Sequence, residues 1–194
     1  PGLSHAERLG LAGDLGELVG ELHALPAPDA ETWPPFLARL LEDPLASHRR
    51  AGTPEAWLAR VEPFLRAVPL MDRPLAYLHT EVLDEHVLVE QRNGRWTLSG
   101  MIDFADSRTG NPGYEFPALV EFIFKGEPGL LRACVEAYGV PPAECTQELG
   151  RELLAWGLVH QFGSLPRMLR ALGGAEPQSL DELADRLYSP APLP

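Results

Sequence analysis

The chain has 194 residues, of which 45% are apolar and 23% are charged, ordinary values for a soluble globular protein that exclude general disorder. This length predicts one domain with a real core, or two small lobes. The 28 acidic and 16 basic residues give a net charge of −12, which argues against a nucleic-acid partner and would attract a cationic small molecule if the charge lines a cleft.

The first predicted element is a helix. Apolar residues recur at three- and four-residue steps from Leu9 onward, which predicts a helix over about 5–25. Ser4 and Glu7 have the spacing of a capping box at its start. Pro26 would stop the helix.

Two further helices are predicted after a proline-rich linker. They lie in the segments WPPFLARLLED and TPEAWLARVEPFLRAV, where the apolar residues keep a helical period. In the second segment, Thr53 is the predicted N-cap and Pro54 occupies the first helical position.

The period then changes to that of β-strands. The runs HVLVEQ and RWTLSGMIDF are rich in β-branched and apolar residues, and they flank Asn93-Gly94. Asn-Gly between two such runs is the strongest short-range signal of a β-hairpin. The sequence therefore predicts one hairpin over 86–103.

The helical period returns after the hairpin. Helices are predicted in YEFPALVEFIF, in PGLLRACVEAYG with Gly139 as its C-cap, over about 143–171, and in SLDELADRLY. Together these helices span 113–188. The predicted fold class is α+β and mainly α, a helical domain that carries one small β-hairpin.

Four polar residues mark the ends of the predicted hairpin. His79 and Glu81 precede the first strand, His86 begins it, and Asp103 ends the second strand. Because antiparallel pairing returns the second strand to the start of the first, Asp103 should lie near His86. A carboxylate beside a potential metal ligand suits a divalent cation and the orientation of a hydroxyl for attack.

Several segments match, in order, the motifs of a known family. LGELVGELHALP corresponds to L-G-x-L-L-x-x-L-H-x-L, and LHTEVLDEHVLV to H-x-D-x-x-x-x-N. MIDF and GNPGYEF correspond to I-D-[FW] and G-D-P-x-Y-D-L. In this order the chain resembles the aminoglycoside phosphotransferase family. The resemblance implies that 1–194 is the C-terminal lobe of a kinase-like phosphotransferase, with its catalytic loop at 77–89.

The resemblance also implies a reaction. A kinase of this family transfers the terminal phosphate of ATP or GTP, bound with Mg²⁺, to a hydroxyl of a small aminoglycoside-like molecule, an activity of antibiotic resistance. Glu81 falls on the family's catalytic Asp and His79 on the motif's His, so both are candidate catalytic residues. His86 falls on the metal-binding Asn, and Asp103 on the Asp that holds magnesium. Such catalysis depends on positioning and charge neutralisation.

Two of these positions depart from the family pattern. Glu81 is one methylene longer than Asp, which moves an extended carboxylate by ~1.5 Å. His86 replaces an oxygen ligand with nitrogen, which suits Mn²⁺ better than Mg²⁺. Mn²⁺ is therefore the alternative metal.

The family's N-terminal nucleotide lobe has no counterpart in this sequence. That lobe carries a lysine that grips the triphosphate, whereas the one lysine here, Lys125, follows the metal Asp along the chain. We expect little or no activity from this isolated lobe. A missing N-terminal lobe or a homodimer partner should cover the apolar face that the lobe leaves exposed.

The substrate is expected to be a small hydroxylated molecule that carries positive charge. Asp106, Glu115 and Glu121 are the candidate substrate-binding residues, because they would line an acidic pocket beside the hairpin. The same pocket without chemistry describes an alternative, a non-catalytic binding module of the pseudokinase type.

A third interpretation is an oxygenase that depends on iron and 2-oxoglutarate. His79, Glu81 and the distant His160 satisfy the pattern of two histidines and one carboxylate. LHTEVLDEHVLVEQRNGRWTL also has some likeness to the metal-binding strand of Jumonji-type oxygenases. Such enzymes need a closed β-barrel, however, and His160 lies in a segment with helical period.

Membrane and redox features are inconspicuous. No apolar run approaches the ~20 residues that span a bilayer, and the segment PGLSHAERLG lacks the regions of a signal peptide. The predicted location is cytoplasmic, with no membrane partner. The spacing of Cys134 and Cys145 fits neither a zinc motif nor a disulfide framework, so both are predicted to be reduced.

Overall fold

The computed structural model of the chain describes residues 2–127 and 129–191, and helices dominate it. Among these residues, no helix is long and apolar enough to cross a membrane. The helices are α1 (His5–His23), α2 (Trp33–Glu42), α3 (Ala46–Arg50), α4 (Glu55–Ala67), α5 (Phe116–Ala118), α6 (Leu130–Tyr138), α7 (Gln147–Val159), α8 (Leu165–Leu172) and α9 (Leu180–Leu183). The strands are β1 (Ala76–Leu78), β2 (Val87–Arg92), β3 (Arg95–Met101) and β4 (Arg108–Gly110). The predicted class, α+β and mainly α, is confirmed.

The first helix begins as its sequence predicts. The Ser4 hydroxyl accepts a hydrogen bond from the Glu7 backbone N–H, and the Glu7 carboxyl accepts one from the Ser4 N–H at 2.7 Å. This reciprocal pair is the predicted capping box. α1 packs closely on α6, since a Cβ at Gly16 would overlap the carbonyl of Cys134.

The predicted hairpin is confirmed. β2 pairs antiparallel with β3, from Val87 opposite Met101 to the turn, with one irregularity in register near Leu88. Asn93 and Gly94 have φ values of 51° and 78°, and positive φ at both central residues is what the favoured two-residue hairpin turn requires.

A second two-stranded sheet positions the polar residues. β1 pairs antiparallel with β4, and Leu78 lies opposite Arg108. β1 leads directly into 79–81 and β4 follows 103–107, so this pairing brings the end of the hairpin beside the loop that precedes it. Strands of three residues are too short to show an alternating pattern, so this sheet has no signal in the sequence.

Two helix boundaries differ from the prediction. α4 begins at Glu55 with Pro54 as its N-cap, so the assignment of Thr53 as N-cap was wrong. The helix predicted over about 143–171 is two helices, α7 and α8, because the chain turns extended at His160. The His160 ring stacks on Tyr114 at 4.1 Å, and this buried contact stabilises the turn. The periodicity of apolar residues does not show the contact, so it predicted one continuous helix.

The last predicted helices are present. Gly139 ends α6 with φ of 110°, as a left-handed C-cap should. The first residue of that predicted segment, Pro128, lies outside the described residues, as do residues 1 and 192–194 of the predicted domain. α5 and α9 each continue as a wide π-helical turn, over Leu119–Phe124 and Ala184–Tyr188. The first of these turns carries Glu121 into the interior.

Candidate active site

His79 is the anchor of the loop between β1 and β2. Its side chain is fully buried, its Nε2 lies 2.8 Å from the Ile102 carbonyl, and its Nδ1 accepts from the Glu81 N–H at 3.3 Å. These partners assign the proton to Nε2. Both ring nitrogens are therefore occupied, and the predicted catalytic role of His79 is corrected to a positioning role.

The carboxylate of Glu115 supports the same loop from the protein interior. One carboxyl oxygen accepts from the His79 N–H at 2.7 Å, and the other accepts from the Thr80 N–H at 2.8 Å. The side chain is fully buried, and His23 Nε2 lies 3.4 Å from it. Glu115 therefore cannot meet a substrate, and its predicted substrate-binding role was wrong. It braces the loop instead.

Two residues at the site have left-handed backbone conformations. Thr80 has φ of 73° and Asp103 has φ of 67°. This region is unfavourable for a β-branched residue such as Thr80. The Thr80 hydroxyl donates to the Asp106 carbonyl at 3.1 Å, and Glu115 holds its N–H, so the surrounding structure maintains a strained conformation next to Glu81.

His86 and Asp103 face each other across the base of the hairpin. His86 Nδ1 lies 2.7 Å from the Glu81 carbonyl, which requires a donor there, so in the neutral ring the lone pair is on Nε2. That Nε2 is 3.6 Å from an Asp103 carboxyl oxygen, and the Asp103 side chain is 56% exposed. With the proton on Nδ1, two acceptors face each other, an arrangement that a cation would stabilise.

His86 and Asp103 suit a cation that also has ligands from outside the protein. In the part of the chain that the structure describes, no group of three His, Cys, Asp or Glu side chains could hold a metal. Neighbouring ligands of an octahedral ion with bonds of about 2.1 Å lie about 3.0 Å apart, so the pair separated by 3.6 Å needs only a small adjustment. Magnesium sites commonly use one or two protein ligands together with phosphate oxygens and water.

Glu81 lies on the same loop and interacts with a second carboxyl. Burial raises the pKa of Glu81, and the charge of Asp106 together with a hydrogen bond to it raises that pKa further, whereas His86 lowers it. Asp106 itself is exposed. A carboxylate with a raised pKa is suited to accept a proton from a bound hydroxyl.

A cavity of about 200 Å³ opens beside Glu81 and is also lined by Glu121, His160 and Arg167. Glu121 is almost fully buried. One of its oxygens accepts from the Tyr188 hydroxyl and the other from Arg167 Nε, both at 2.7 Å. Both oxygens of Glu121 are thus engaged within the protein. Glu121 lines the cavity, but it does not present the unpaired negative charge that its predicted substrate-binding role requires.

Comparison with known proteins identifies the family. The model of the phosphotransferase enzyme family matches residues 1–152. The chain belongs to this family. The resemblance seen in its motifs is thereby confirmed.

Two individual proteins are similar to this phosphotransferase-family chain. A solved choline/ethanolamine kinase family protein from Mesorhizobium loti is 20% identical, with a TM-score of 0.47 over 91% of this chain and 66% of that chain. Lysine-specific demethylase JMJ21 of Arabidopsis thaliana is 26% identical over an alignment of 77 residues, and the match covers 36% of this chain and 8% of that protein. This chain spans only part of the length of either protein.

The oxygenase interpretation was wrong. Neither nitrogen of His79 is available to a metal, and His160 stacks on Tyr114 instead of facing His79. The described strands form two separate two-stranded sheets, which cannot enclose an iron site as a barrel does. The phosphotransferase-family chain therefore lacks the geometry of the two-histidine, one-carboxylate site.

Arg167 is a member of the site that no sequence motif indicates. It lies on α8, a short amphipathic helix in which a charged residue is usually solvated. Only the break at His160 and the wide turn at Glu121 bring it to the cavity. No local pattern marks such a residue, because its partner is 46 positions away in the sequence.

Replacing Asp106 with Asn is expected to lower the pKa of Glu81, because it removes a neighbouring negative charge. Carbon-13 NMR titration of the glutamate carboxyls measures this directly. In the parent the Glu81 midpoint should lie above 4.5, and in Asp106→Asn it should move down. Because the folded pKa is raised, ionisation of Glu81 reduces stability as pH rises from 4.5 through the folded value. An unchanged midpoint in the variant would contradict the coupling.

Proposed function

We propose that this chain is the catalytic and substrate-side lobe of a kinase that transfers the terminal phosphate of a nucleoside triphosphate to a hydroxyl of a small molecule. The observation that carries the proposal is the convergence of His86 Nε2 and Asp103 at 3.6 Å, on a loop that also presents Glu81 at the mouth of a cavity. Membership of the phosphotransferase family supports the same reaction class.

Each residue has a defined part in this proposal. Glu81 orients the acceptor hydroxyl and takes its proton as the hydroxyl oxygen attacks the terminal phosphorus, while the bond from that phosphorus to the bridging oxygen breaks and the nucleoside diphosphate leaves. Asp103 and His86 would hold Mg²⁺ or Mn²⁺, which when bound would neutralise charge on the phosphate oxygens. His79, Glu115 and the strained Thr80 keep the Glu81 backbone in place.

We propose that a second lobe, or a second copy of this chain, covers an apolar surface next to the hairpin. Leu25, Ile102 and Phe104 are apolar side chains that are 52%, 46% and 38% exposed. Ile102 and Phe104 flank Asp103 in sequence, so this surface borders the metal pair. A nucleotide lobe or a homodimer partner that covers it would complete the triphosphate site, and 1–194 alone is expected to have little activity.

A binding module without chemistry is the second candidate. The departures of Glu81 and His86 from the family's Asp and Asn favour it, because a carboxylate of different length or a ligand of different type can leave a site that binds without turnover. Calorimetry separates the two: a module binds a small molecule and ignores nucleotide, whereas the phosphotransferase lobe binds both.

Replacing Asp103 with Asn is expected to weaken binding of Mn²⁺·ADP by at least about tenfold, because one charged ligand is lost. Asn also tolerates the left-handed backbone at this position. Isothermal titration calorimetry gives the affinities, and Asp84→Asn is the matched control, since the Asp84 side chain is exposed in the loop before the hairpin and pairs with Lys125. Equal affinities in the parent and Asp103→Asn, or no binding by the parent, would refute the metal site.

A further inference from the structure

Apart from Glu81 itself, the polar groups of this cavity that remain free are donors. Glu121 already accepts from Tyr188 and Arg167, so its charge is matched inside the protein. The Thr80 hydroxyl is bonded to a backbone carbonyl, which leaves His160 and Arg167 as the other polar side chains of the lining. The chemistry of these two groups decides what the cavity can bind.

His160 presents a buried donor that lacks a partner. The side chain is only 7% exposed, and its Nδ1 accepts from the Phe162 N–H at 3.3 Å, which assigns the proton to Nε2. Burial lowers the pKa of His160 to about 3, so the ring is neutral. Within the described residues Nε2 has no partner in hydrogen-bond geometry, although the Thr80 carbonyl lies nearby. A buried donor of this kind calls for an acceptor.

Arg167 adds charge to the same wall. Its Nε donates to Glu121 at 2.7 Å and its Nη2 donates to the Phe162 carbonyl at 2.6 Å. These contacts fix the plane of the guanidinium. Among the described residues, Nη1 makes no hydrogen bond of this kind, and the side chain is 26% exposed. A fixed guanidinium edge is a good partner for a carboxylate or a phosphate.

We infer that the molecule bound in this cavity carries an anionic oxygen group, a carboxylate or a phosphate, which accepts hydrogen bonds from Arg167 and His160 while its hydroxyl meets Glu81. The inference rests on the proposed function for the role of the hydroxyl. It replaces the expected cationic substrate with an anionic one, because Glu115 is sealed in the core and Glu121 is already paired.

The cavity volume limits the size of this molecule. Water occupies about 30 Å³ per molecule in the liquid, so a cavity of about 200 Å³ has room for about seven groups of that size. A three-carbon hydroxy acid such as glycerate fits this volume, whereas a three-carbon phosphate would extend partly beyond it. A multi-ring aminoglycoside would have to lie largely outside it.

A series of three-carbon probes tests the inference by binding alone. Glycerol, glycerate, glycerol 3-phosphate and 3-aminopropane-1,2-diol share a hydroxylated skeleton and differ in charge. Their dissociation constants are measured by NMR titration of the chain without nucleotide. We expect glycerate, glycerol 3-phosphate or both to bind at least about tenfold more tightly than glycerol, as a hydrogen bond to a charged group allows. Preference between the two identifies the anionic group.

Two variants test whether Arg167 causes the preference for an anionic probe. Arg167→Met is combined with Glu121→Gln, so that no buried charge is left unpaired, and Arg170→Met on the exposed side of α8 is the control. The double variant should lose the preference for the anionic probe, while Arg170→Met keeps it. Tightest binding of the amine, equal binding of all probes, no binding of either anion, or an unchanged preference in the double variant would overturn the inference. If the chain bound the anionic probe but bound no nucleotide at Asp103, the proposed kinase reaction would be refuted and the inference about the anionic group would stand.

Discussion

Replacing Glu115 with Ala should lower the free energy of unfolding by about 3–5 kcal/mol, as removing one partner of a buried charged network does. The substitution removes the acceptors of the His79 and Thr80 N–H groups. Each buried donor left without a partner costs about 1–3 kcal/mol. Thr80 would also lose the contact that holds its left-handed backbone. Urea denaturation followed by circular dichroism measures the loss.

Two further variants define the origin of this effect. Glu115→Gln keeps one carbonyl oxygen and should lie between the parent and Glu115→Ala. Glu17→Ala removes an exposed carboxylate from α1 and should change the unfolding free energy by no more than about 0.5 kcal/mol. If Glu115→Ala were as stable as Glu17→Ala, the hydrogen bonds from the loop to Glu115 would not contribute to the stability of the protein.

Replacing Glu81 with Gln should reduce kcat for phosphate transfer by about 10²–10⁴-fold, the usual contribution of a positioned general base. The amide keeps the shape of the side chain but cannot accept the proton of the hydroxyl. The assay follows transfer from radiolabelled ATP with Mn²⁺ to glycerate or water, using protein expressed from its complete reading frame. Glu81→Asp should retain part of the activity, because it keeps the carboxylate and changes only its reach.

The matched control for this change is Asp84→Asn. Asp84 lies three residues away in the same loop, its side chain is 62% exposed, and it pairs with Lys125. Its replacement should leave kcat within a factor of about two, since exposed charges contribute little. Equal losses in both variants would point to general disturbance of the loop, and full activity of Glu81→Gln would exclude Glu81 as the base.

Local patterns in the sequence determined much of the fold. The capping box at Ser4, the Asn93-Gly94 turn and the Gly139 C-cap are interactions between residues close in the chain, so their residue types specify them directly. The family motifs likewise determined where the polar residues of the site would lie. The approach of Asp103 to His86 followed from antiparallel pairing across a single turn.

The tertiary structure alone decided which acidic residues are available to a ligand. Glu115 meets the loop 36 residues before it, and Glu121 meets Tyr188 67 residues after it. A sequence pattern shows that a residue is acidic, but it does not show whether distant donors occupy its oxygens. Burial and pairing depend on contacts between segments far apart in the chain. These contacts turned an expected acidic pocket into a cavity in which Glu81 is the available carboxylate and the other free polar groups are donors.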